Sequence, residues 1–516
     1  MYKNIRYIYA ILLLLGLFSC ADNNVAVRSG LENSELTIRH KPGMNVVGYV
    51  TVDGKPRSGV VVSDGVNVVV TDEKGEYQMR SVGRQHVFVS VPADCEIPVE
   101  NKMPKIYKTL TFTDAVIQMN FDLKARPKLS KFKLLTLADV QIGDAEDVRR
   151  LREEVMGNIS SYAQSLSGPV YGISLGDIVW NVPALYPTYI EQVTRTGVPT
   201  FSVIGNHDHN EKVKNDTESD KEYRDALGPT YYSCNIGDWH IVALDDILYS
   251  GVHGRNDYSG TITQQQLDWL KKDLAYVDKD KSILIGVHIP TSRRTSGTHV
   301  SNNKALYDLV KDYHRVEILS GHTHNNFTTT IAPNIRETTF GAVMGAFWNG
   351  KICNDGSPRG FAVLEFEGNE LTNEYYMGSD TDRNYQIEIY VPGDATFRWG
   401  RVNEPIKTPF DARPLVTDME RVLVNVFNWH TDWTVELKED DGAWTPLTNN
   451  AKWLDPEAVR TLQYSNSWEK RPSAEPEENN DHMFVYYPKS QSWKQISVRA
   501  TDPYGNVYTK TANHPK

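Results

Sequence analysis

The sequence predicts a multi-domain α+β protein in which a layered α/β domain lies between two all-β sandwich domains. Short β-rich runs with turn signals fill residues 45–125 and return after residue 378, whereas residues 131–377 alternate apolar strands with helical patterns. The chain has 516 residues, of which 40% are hydrophobic and 23% charged. This composition suffices for several packed cores and excludes a disordered or fibrous chain.

The net charge argues against a nucleic-acid-binding protein. Asp and Glu number 66 against 55 for Lys and Arg, so the formal net charge is −11 and no nucleic acid is expected as a partner. The only long apolar run, Tyr7–Phe18, is shorter than the roughly 20 residues that cross a bilayer. The composition therefore also excludes a multi-pass membrane protein.

Residues 1–20 have the features of a secretory signal, and residues 21–44 those of a polar tether. Lys3 and Arg6 precede the apolar run, which ends at Leu17-Phe-Ser-Cys20. This ending resembles a bacterial lipobox, which implies that Cys20 is lipidated and anchors the chain to a membrane. We therefore expect an extracytoplasmic protein of the cell envelope, in the periplasm or at the cell surface. A buried core helix is the alternative reading of the apolar run.

Residues 45–125 predict a small all-β sandwich. Val46–Val52 and His86–Val91 have strand patterns, and Asp53-Gly54 stands where a tight hairpin turn would fall. The segments Gly48–Pro56 and Thr71–Tyr77 resemble carboxypeptidase-regulatory-like domains. The sequence of this region contains no cluster of catalytic residue types.

Six apolar runs in residues 131–377 are the predicted core strands, and five of them end on residue types that bind metals. Because the carboxyl ends of strands in an α/β sheet border one crevice, side chains far apart in sequence can converge there. Glycines beside several of these residues permit the tight turns that would present them. The residues that follow the five strands are Asp139 and Gln141, Asp177, Asn206 to His209, His288, and His322 with His324.

These side chains offer carboxylate, amide and imidazole donors, which suit Mn, Fe or Zn better than an all-oxygen calcium cage. Seven donors exceed the needs of one ion. Two ions about 3.5–4 Å apart that share a carboxylate clamp the attacking and leaving oxygens of a phosphoryl displacement and lower the pKa of a bound water. The pattern therefore predicts metal-assisted hydrolysis with two divalent ions as cofactors.

The order of the motifs resembles the calcineurin-like metallophosphoesterase superfamily over residues 131–377. The signature of that superfamily is DxH, GDxxD, GNH(D/E), H and GHxH, and the resemblance implies a four-layer α/β/β/α sandwich. It also implies a metal-bridging hydroxide as nucleophile, with His207 as the general acid on the leaving oxygen and Asp208 orienting its imidazole. The implied ligands are Asp177 bridging both metals, Asp139, Gln141 and His324 on the first metal, and Asn206, His288 and His322 on the second.

Two positions depart from the signature. Gln141 replaces the usual histidine with a weak neutral amide, which should loosen the first metal or favour a harder ion such as Mn²⁺. The segment Ala138-Asp-Val-Gln141 is similar to the manganese-dependent ADP-ribose and CDP-alcohol diphosphatase branch, which implies phosphodiester or diphosphate substrates. Trp180 stands where a second acidic residue is common, so the role of that acid is absent or shifted to Asn181.

Five residues are candidate substrate contacts. Arg293 and Arg294 follow the fourth ligand strand, where a guanidinium could bind a phosphate in bidentate fashion or form a solvated basic turn. Trp180, Phe347 and Trp348 could form an aromatic wall for a base, sugar or lipid group, or could pack in the core.

Residues 378–516 predict a second β-sandwich, of the immunoglobulin or fibronectin type. Strand patterns include Val422–Phe427, Met483–Tyr487 and Ile496–Ala500, with a hairpin turn at Asp441-Gly442. The polar stretch Arg471–Asp481 interrupts these strands, and its acidic residues indicate a solvated loop.

Together these observations predict a lipid-anchored hydrolase of phosphate esters that acts on small-molecule or lipid substrates, with phosphodiester or diphosphate bonds favoured. A phosphomonoesterase or protein phosphatase would share the same metal core. A surface-binding lipoprotein without catalysis, whose sandwiches contact a glycan or polymer, is the alternative outside the enzymes. Manganese is favoured over iron or zinc, and the sequence carries no signal for the oligomeric state.

Overall fold

The structure is a computed structural model, and it describes residues 37–82, 85–111, 115–293, 298–346, 350–392, 421–448, 453–464 and 474–515. The predicted signal with Cys20, and most of the predicted tether, lie outside the described residues. None of the helices in the described ranges combines the length and the apolar character that a bilayer crossing requires.

The amino-terminal region forms small β-sheets around β1, as its turn-rich strand pattern predicts. The strands are β1 (Val46–Val52), β2 (Lys55–Pro56), β3 (Val61–Ser63), β4 (Val68–Val70), β5 (Glu76–Met79), β6 (His86–Val89), β7 (Val99–Glu100), β8 (Met103–Pro104), β9 (Tyr107–Thr109), β10 (Ile117–Gln118) and β11 (Phe121–Leu123). β1 pairs with β5 and β2 in antiparallel and with β10 and β11 in parallel fashion, while β4, β3, β6 and β9 form a second sheet. Asp53 and Gly54 turn the β1–β2 hairpin with φ angles of 50° and 73°.

The central region alternates strands and helices, and its predicted strands are confirmed to within a few residues. Its elements are β12 (Lys131–Leu137), α1 (Ala145–Arg150), α2 (Met156–Ser165), β13 (Val170–Leu175), α3 (Tyr186–Thr196), β14 (Thr200–Val203), α4 (Asp216–Ser219), α5 (Lys221–Leu227), β15 (Tyr232–Ile236), β16 (Trp239–Ala243), β17 (Ile247–Tyr249), β18 (Tyr258–Gly260), α6 (Gln264–Asp273), β19 (Ser282–Gly286), α7 (Asn303–Val310), β20 (Arg315–Ser320), β21 (Phe327–Ala332), β22 (Ile335–Thr339), β23 (Gly360–Glu367) and β24 (Glu370–Gly378). Thr263 caps α6 by accepting a hydrogen bond from the Gln266 N–H.

Two sheets pack face to face in the central region. One has the strand order β14-β13-β12-β23-β24, and the other the order β15-β16-β19-β20-β22-β21. Side chains of β12 alternate between two cores: Leu134 packs into the core shared with the second sheet, and Leu135 packs against α2 and α3. Leu270 of α6 and Leu306 of α7 belong to the same buried core as the strands of the second sheet. The layers are therefore helix, sheet, sheet and helix, the four-layer arrangement that the motifs imply.

The carboxy-terminal region again consists mainly of β-strands, which pack around Val424, Trp433 and Ile496. Its elements are β25 (Ile387–Tyr390), β26 (Val422–Val426), β27 (Thr434–Glu439), β28 (Thr445–Pro446), α8 (Pro456–Tyr464), β29 (Met483–Tyr486), β30 (Gln495–Thr501) and β31 (Val507–Asn513). β25, β26 and β29 form one sheet, and β28, β27, β30 and β31 form another.

The predicted solvated loop at 471–481 is only partly exposed in its described part, residues 474–481. Glu475 and Glu478 are exposed, as predicted. In contrast, the N–H of Glu477 donates to the carbonyl of Asn354 at 2.8 Å, and Asn480 is buried with its amide on the carbonyl of Asp355. Part of the polar composition here therefore serves hydrogen bonds to the central region.

Candidate metal centre

The carboxyl ends of β12, β13, β14, β19 and β20 meet at one edge, and the residues that follow them lie together. Ligand-type atoms of Asp177, His288 and His322 all lie within 4.8 Å of one another. These three side chains come from three different strand ends on two sheets, so the site depends on the packing of both sheets.

The backbone of this cluster is strained. Five of the seven predicted ligands adopt a left-handed backbone conformation, which residues other than glycine rarely do. They are Asp139 (φ 52°), Gln141 (φ 49°), Asp177 (φ 50°), His322 (φ 68°) and His324 (φ 56°). Each such residue costs of order 1 kcal/mol, and strain of this kind concentrates at functional sites. These backbone conformations therefore lower the stability of the fold, and they direct the five side chains to one place.

Glycines allow the loops of the cluster to approach each other. A Cβ at Gly176 would lie 2.5 Å from Nδ1 of His288, and one at Gly205 would lie 2.1 Å from the backbone nitrogen of Asp177. Gly176 also has a φ of 82°. Any larger residue at either position would push a predicted ligand out of place.

His288 shows how the second group of ligands could hold a cation. Its Nδ1 lies 2.8 Å from the carbonyl oxygen of Leu175, so the neutral imidazole carries its proton there and has a lone pair on Nε2. That Nε2 lies 3.1 Å from Oδ1 of Asn206, 3.3 Å from Oδ1 of Asp177 and 3.2 Å from Nδ1 of His322. Lone-pair atoms that converge in this way fit a divalent ion.

The carboxylates of the cluster also favour a positive charge at His288. Burial acts to lower the pKa of His288, but the carboxylates of Asp177, Asp139 and Asp246 outweigh burial and raise the pKa to about 10. Three buried carboxylates around one imidazole thus favour a cation at this point, whether a proton or a metal ion.

The first group of predicted ligands is joined to the same cluster. Nε2 of His324 lies 3.4 Å from Oδ1 of Asp139, whose oxygens also accept the backbone N–H of His322. Gln141 directs its amide nitrogen to Oδ2 of Asp177 at 2.9 Å. To bind a cation, Gln141 would have to present its amide oxygen instead. The structure thus brings all seven predicted ligands together, and the mixed donors fit the two ions that the motifs imply.

His207 lies directly beside this cluster. Its backbone N–H donates to Oδ1 of Asp177 at 2.8 Å, and its ring Nδ1 lies 3.3 Å from Oδ1 of Asn181. The ring stacks on Trp180, with 3.7 Å between the ring centroids. Trp180, predicted as a substrate contact, is therefore at the site, where it covers one face of His207.

Asp208 holds the loop that carries His207 rather than the imidazole itself. Its carboxylate accepts the backbone N–H groups of Ile178, Val179 and Gly205 and lies 3.2 Å from the hydroxyl of Tyr186. Burial raises the pKa of Asp208 to about 7, with a further contribution from Asp177. Among the described contacts, the partner of the His207 imidazole is Asn181. Asn181 is the residue expected to take over the role of the acid that Trp180 replaces.

Arg293 does not face the cluster with a free charge. Its guanidinium lies 3.7 Å from the carboxylate of Glu477 and 5.0 Å from the ring centroid of Phe327, and only 10% of its side chain is exposed. Arg294, Phe347 and Trp348, the other predicted substrate contacts, lie outside the described residues.

Sequence reasoning missed Asp246. Its buried carboxylate accepts the backbone N–H of His288 at 3.2 Å and that of Ile289 at 2.9 Å, so it fixes the loop of a predicted ligand. A signal existed, because Asp245-Asp246 follows the predicted strand Ile241–Leu244, the one core strand to which no ligand was assigned.

Models of one family match three successive parts of the chain. The core model, described as calcineurin-like phosphoesterase, matches residues 132–326, and models of the amino-terminal and carboxy-terminal parts of such proteins match residues 44–126 and 337–508. The chain belongs to the calcineurin-like phosphoesterases. The carboxypeptidase-regulatory-like and immunoglobulin-like interpretations of the flanking regions stay predictions.

Relatives of this chain include curated bacterial proteins. It is 26% identical over 166 residues to a "Probable cyclic nucleotide phosphodiesterase" of Psychrobacter arcticus, covering 30% of this chain and 56% of that protein. It is 31% identical over 165 residues to a "Probable glycerophosphodiester phosphodiesterase" of Arcobacter nitrofigilis, covering 30% of this chain and 57% of that protein. The chain therefore spans about half the length of the curated relatives that it matches.

Solved structures resemble it more remotely. A dimetal phosphatase from Danio rerio matches with a TM-score of 0.35 and 15% identity, covering 48% of this chain and 99% of that chain. A 5'-nucleotidase from Candida albicans matches with a TM-score of 0.31 and 11% identity, covering 49% of this chain and 52% of that chain.

Proposed function

We propose that this protein is a hydrolase of phosphate esters that uses two divalent metal ions, with phosphodiester or diphosphate bonds as its substrates. The observation that carries the proposal is the convergence of ligand-type side chains from five strand ends around Asp177, with His207 directly beside them. The strained backbone at five of these positions supports it, because structural loops rarely hold so many non-glycine residues in the left-handed region.

In this proposal Asp177 is shared by the two ions. Manganese is favoured, with iron or zinc as alternatives, because Gln141 is a weak amide ligand that would bind through oxygen. When bound, the ions would lower the pKa of the attacking water and neutralise charge on the phosphoryl oxygens. The remaining ligands are Asp139, Gln141 and His324 for the first ion and Asn206, His288 and His322 for the second.

His207 acts as the general acid that protonates the leaving oxygen. Its backbone is fixed on Asp177, and its ring is oriented by Trp180 on one face and by Asn181 at Nδ1. Nε2 is therefore the ring atom that transfers the proton, and a positioned acid of this kind contributes roughly 10²–10⁴-fold to the rate. Asp208 contributes by holding the loop in place.

Two arguments favour diesters and diphosphates over monoesters. The segment Ala138–Gln141 resembles the diphosphatase branch of the family, and two relatives are named as phosphodiesterases. A phosphomonoesterase or protein phosphatase is the competing activity, because it would use the same ligands. A binding lipoprotein without catalysis fits less well, since it would not need a strained ligand set with a general acid beside it.

The decisive experiment is turnover by metal-stripped protein after addition of Mn²⁺, Zn²⁺, Mg²⁺ or Fe²⁺. Matched aryl phosphomonoester, aryl phosphodiester and nucleotide-diphosphate substrates should be compared, with Asp177→Asn as the control that removes the shared charge. Metal-dependent cleavage of diester or diphosphate, abolished in Asp177→Asn, is the expected result. Preference for the monoester would overturn the proposed substrate class. Absence of turnover despite bound metal would overturn the proposal that the protein is a hydrolase.

We further propose that a lipid on Cys20 anchors this enzyme to a membrane on the extracytoplasmic side. The support is the lipobox-like segment Leu17–Cys20. In cells fed labelled palmitate, Cys20→Ser should remove both the label and the association with the membrane fraction. Equal labelling of the variant would exclude this anchor.

A further inference from the structure

A hairpin that carries no predicted ligand lies beside the metal centre. β17 and β18 pair in antiparallel fashion, and the turn between them is held by Asp257, which accepts from the Ser250 hydroxyl at 2.6 Å and the His253 N–H at 2.9 Å. At the start of β18, the ring of Tyr258 lies 6.2 Å from that of His322, measured between centroids. The hairpin is thus ordered, and one of its ends contacts the ligand cluster.

The turn of this hairpin presents Arg255 next to Trp180, the ring that stacks on His207. Its guanidinium carbon lies 5.7 Å from the ring centroid of Trp180, within cation–π range, and Trp180 stacks directly on His207. Arg255 is exposed, and in the described part of the chain no carboxylate forms an ion pair with it.

Arg293 and Arg255, both in the described part of the chain, differ in the availability of their charge. Arg293 is almost buried against Glu477, and the same carboxylate accepts the side-chain amide of Asn325 at 2.8 Å. Binding a phosphate through Arg293 would break that ion pair and leave Glu477 without its cation. Arg255 would lose only contact with water, so its guanidinium can take an anion at much lower cost.

We propose that Arg255 binds a phosphate on the leaving group, so that the substrates are diphosphates rather than diesters with a neutral alcohol. This inference rests on the proposed function, because His207 defines the side from which the leaving group departs. Arg255 lies on that side, one aromatic ring away from His207. A guanidinium binds phosphate oxygens in bidentate fashion, whereas a neutral alcohol offers it no anion.

The reaction balances without a further reactant. Water adds its oxygen to the attacked phosphorus and loses a proton to solvent, and the bond between that phosphorus and the bridging oxygen breaks. The bridging oxygen leaves with the electron pair as part of the second phosphate and takes a proton from His207, which regains one from solvent. Arg255 offsets the negative charge that this departing phosphate gains.

The test compares two adenosine 5′-phosphate derivatives that differ only in the leaving group. One is the 4-nitrophenyl ester, which releases an aryl alcohol, and the other is ADP-ribose, which releases a phosphate monoester. In the Mn²⁺-loaded full chain, Arg255→Ala should lower kcat/KM for ADP-ribose roughly 10- to 100-fold and change kcat/KM for the nitrophenyl ester less than about threefold. Arg255→Lys, which keeps the charge but not the bidentate geometry, should be intermediate.

Lys212→Ala is the matched control, because it removes one positive charge from an exposed position in the preceding loop. It should leave both kcat/KM values unchanged. Equal losses on both substrates in Arg255→Ala, or no loss on ADP-ribose, would overturn the role of Arg255 and leave the hydrolase intact. Failure of the wild-type protein to cleave either substrate with any metal would instead overturn the hydrolase and this inference together.

Discussion

Asp246 offers a sharp test of how the metal site is held, because it contacts a ligand loop and no predicted metal position. Its two carboxylate oxygens accept the N–H groups of His288 and Ile289. An asparagine at this position has one acceptor oxygen, so in Asp246→Asn one N–H loses its partner and faces an amide NH₂. An unsatisfied buried donor costs about 1–3 kcal/mol, and we expect the free energy of unfolding of the metal-free protein to fall by that amount.

The same change should weaken metal binding. Groups that orient a ligating histidine typically contribute 10- to 100-fold to metal affinity, so the Kd for Mn²⁺ should rise by roughly that factor. Chelator-competition titration measures the Kd, and guanidinium unfolding in EDTA measures stability. Asp245→Asn is the control, because Asp245 accepts the N–H of Ile247 and makes no hydrogen bond to His288. Metal affinity of Asp246→Asn within twofold of wild type, or an equal loss in Asp245→Asn, would refute the reasoning.

Three further outcomes are expected. In a chelator titration, Gln141→His should bind the first ion about tenfold more tightly and should prefer Zn²⁺, because imidazole is a stronger ligand than the amide and histidine tolerates the left-handed backbone at this position. Unchanged metal affinity would contradict a ligand role for residue 141. EDTA should lower the Tm of wild type by several degrees, because bound ions stabilise the strained loops, and should leave the Tm of Asp177→Asn almost unchanged. Equal Tm shifts in the two proteins would contradict ion binding at Asp177. Burial raises the pKa of Glu337 from 4.5 to about 7, so its contribution to stability is complete below about pH 4.5 and is lost as the pH rises through 7. Between pH 5 and 8, the unfolding free energy of Glu337→Gln should therefore change less with pH than that of wild type, by the equivalent of about one bound proton. A slope equal to that of wild type would show that Glu337 does not titrate in this range.

The strands and the ligand cluster could be predicted because both follow from local sequence. Apolar runs define the strands, and a ligand must be a residue type with a donor atom, so Asp139, Asp177 and His288 are visible as such at strand ends. Asp246 also follows a predicted strand, but its local sequence does not show that its carboxylate accepts the backbone N–H groups of His288 and Ile289. Arg255 was missed for a different reason: its place beside His207 depends on how the β17–β18 hairpin packs, which no local pattern encodes.

Charge pairing was the least predictable property, because partners lie far apart along the chain. Arg293 follows a ligand strand and by position alone is a good phosphate-binding candidate. Its actual partner, Glu477, comes from a stretch whose polar composition indicates exposure to water. The sequence therefore identifies Arg293 as a candidate but does not show that Glu477 pairs with its charge, and that pairing decides whether it can bind substrate.

The contact at Glu477 also bears on what the carboxy-terminal region does. The Glu477 N–H donates to the carbonyl of Asn354, and the Asn354 N–H donates to the carbonyl of the ligand His324 at 3.1 Å. The side chain of Glu477 meanwhile holds Asn325, the residue next to that ligand. The backbone and the side chain of Glu477 thus both connect the carboxy-terminal region to the loop of the predicted ligand His324. The carboxy-terminal region therefore contributes hydrogen bonds that hold this loop, whose backbone has a positive φ at His324.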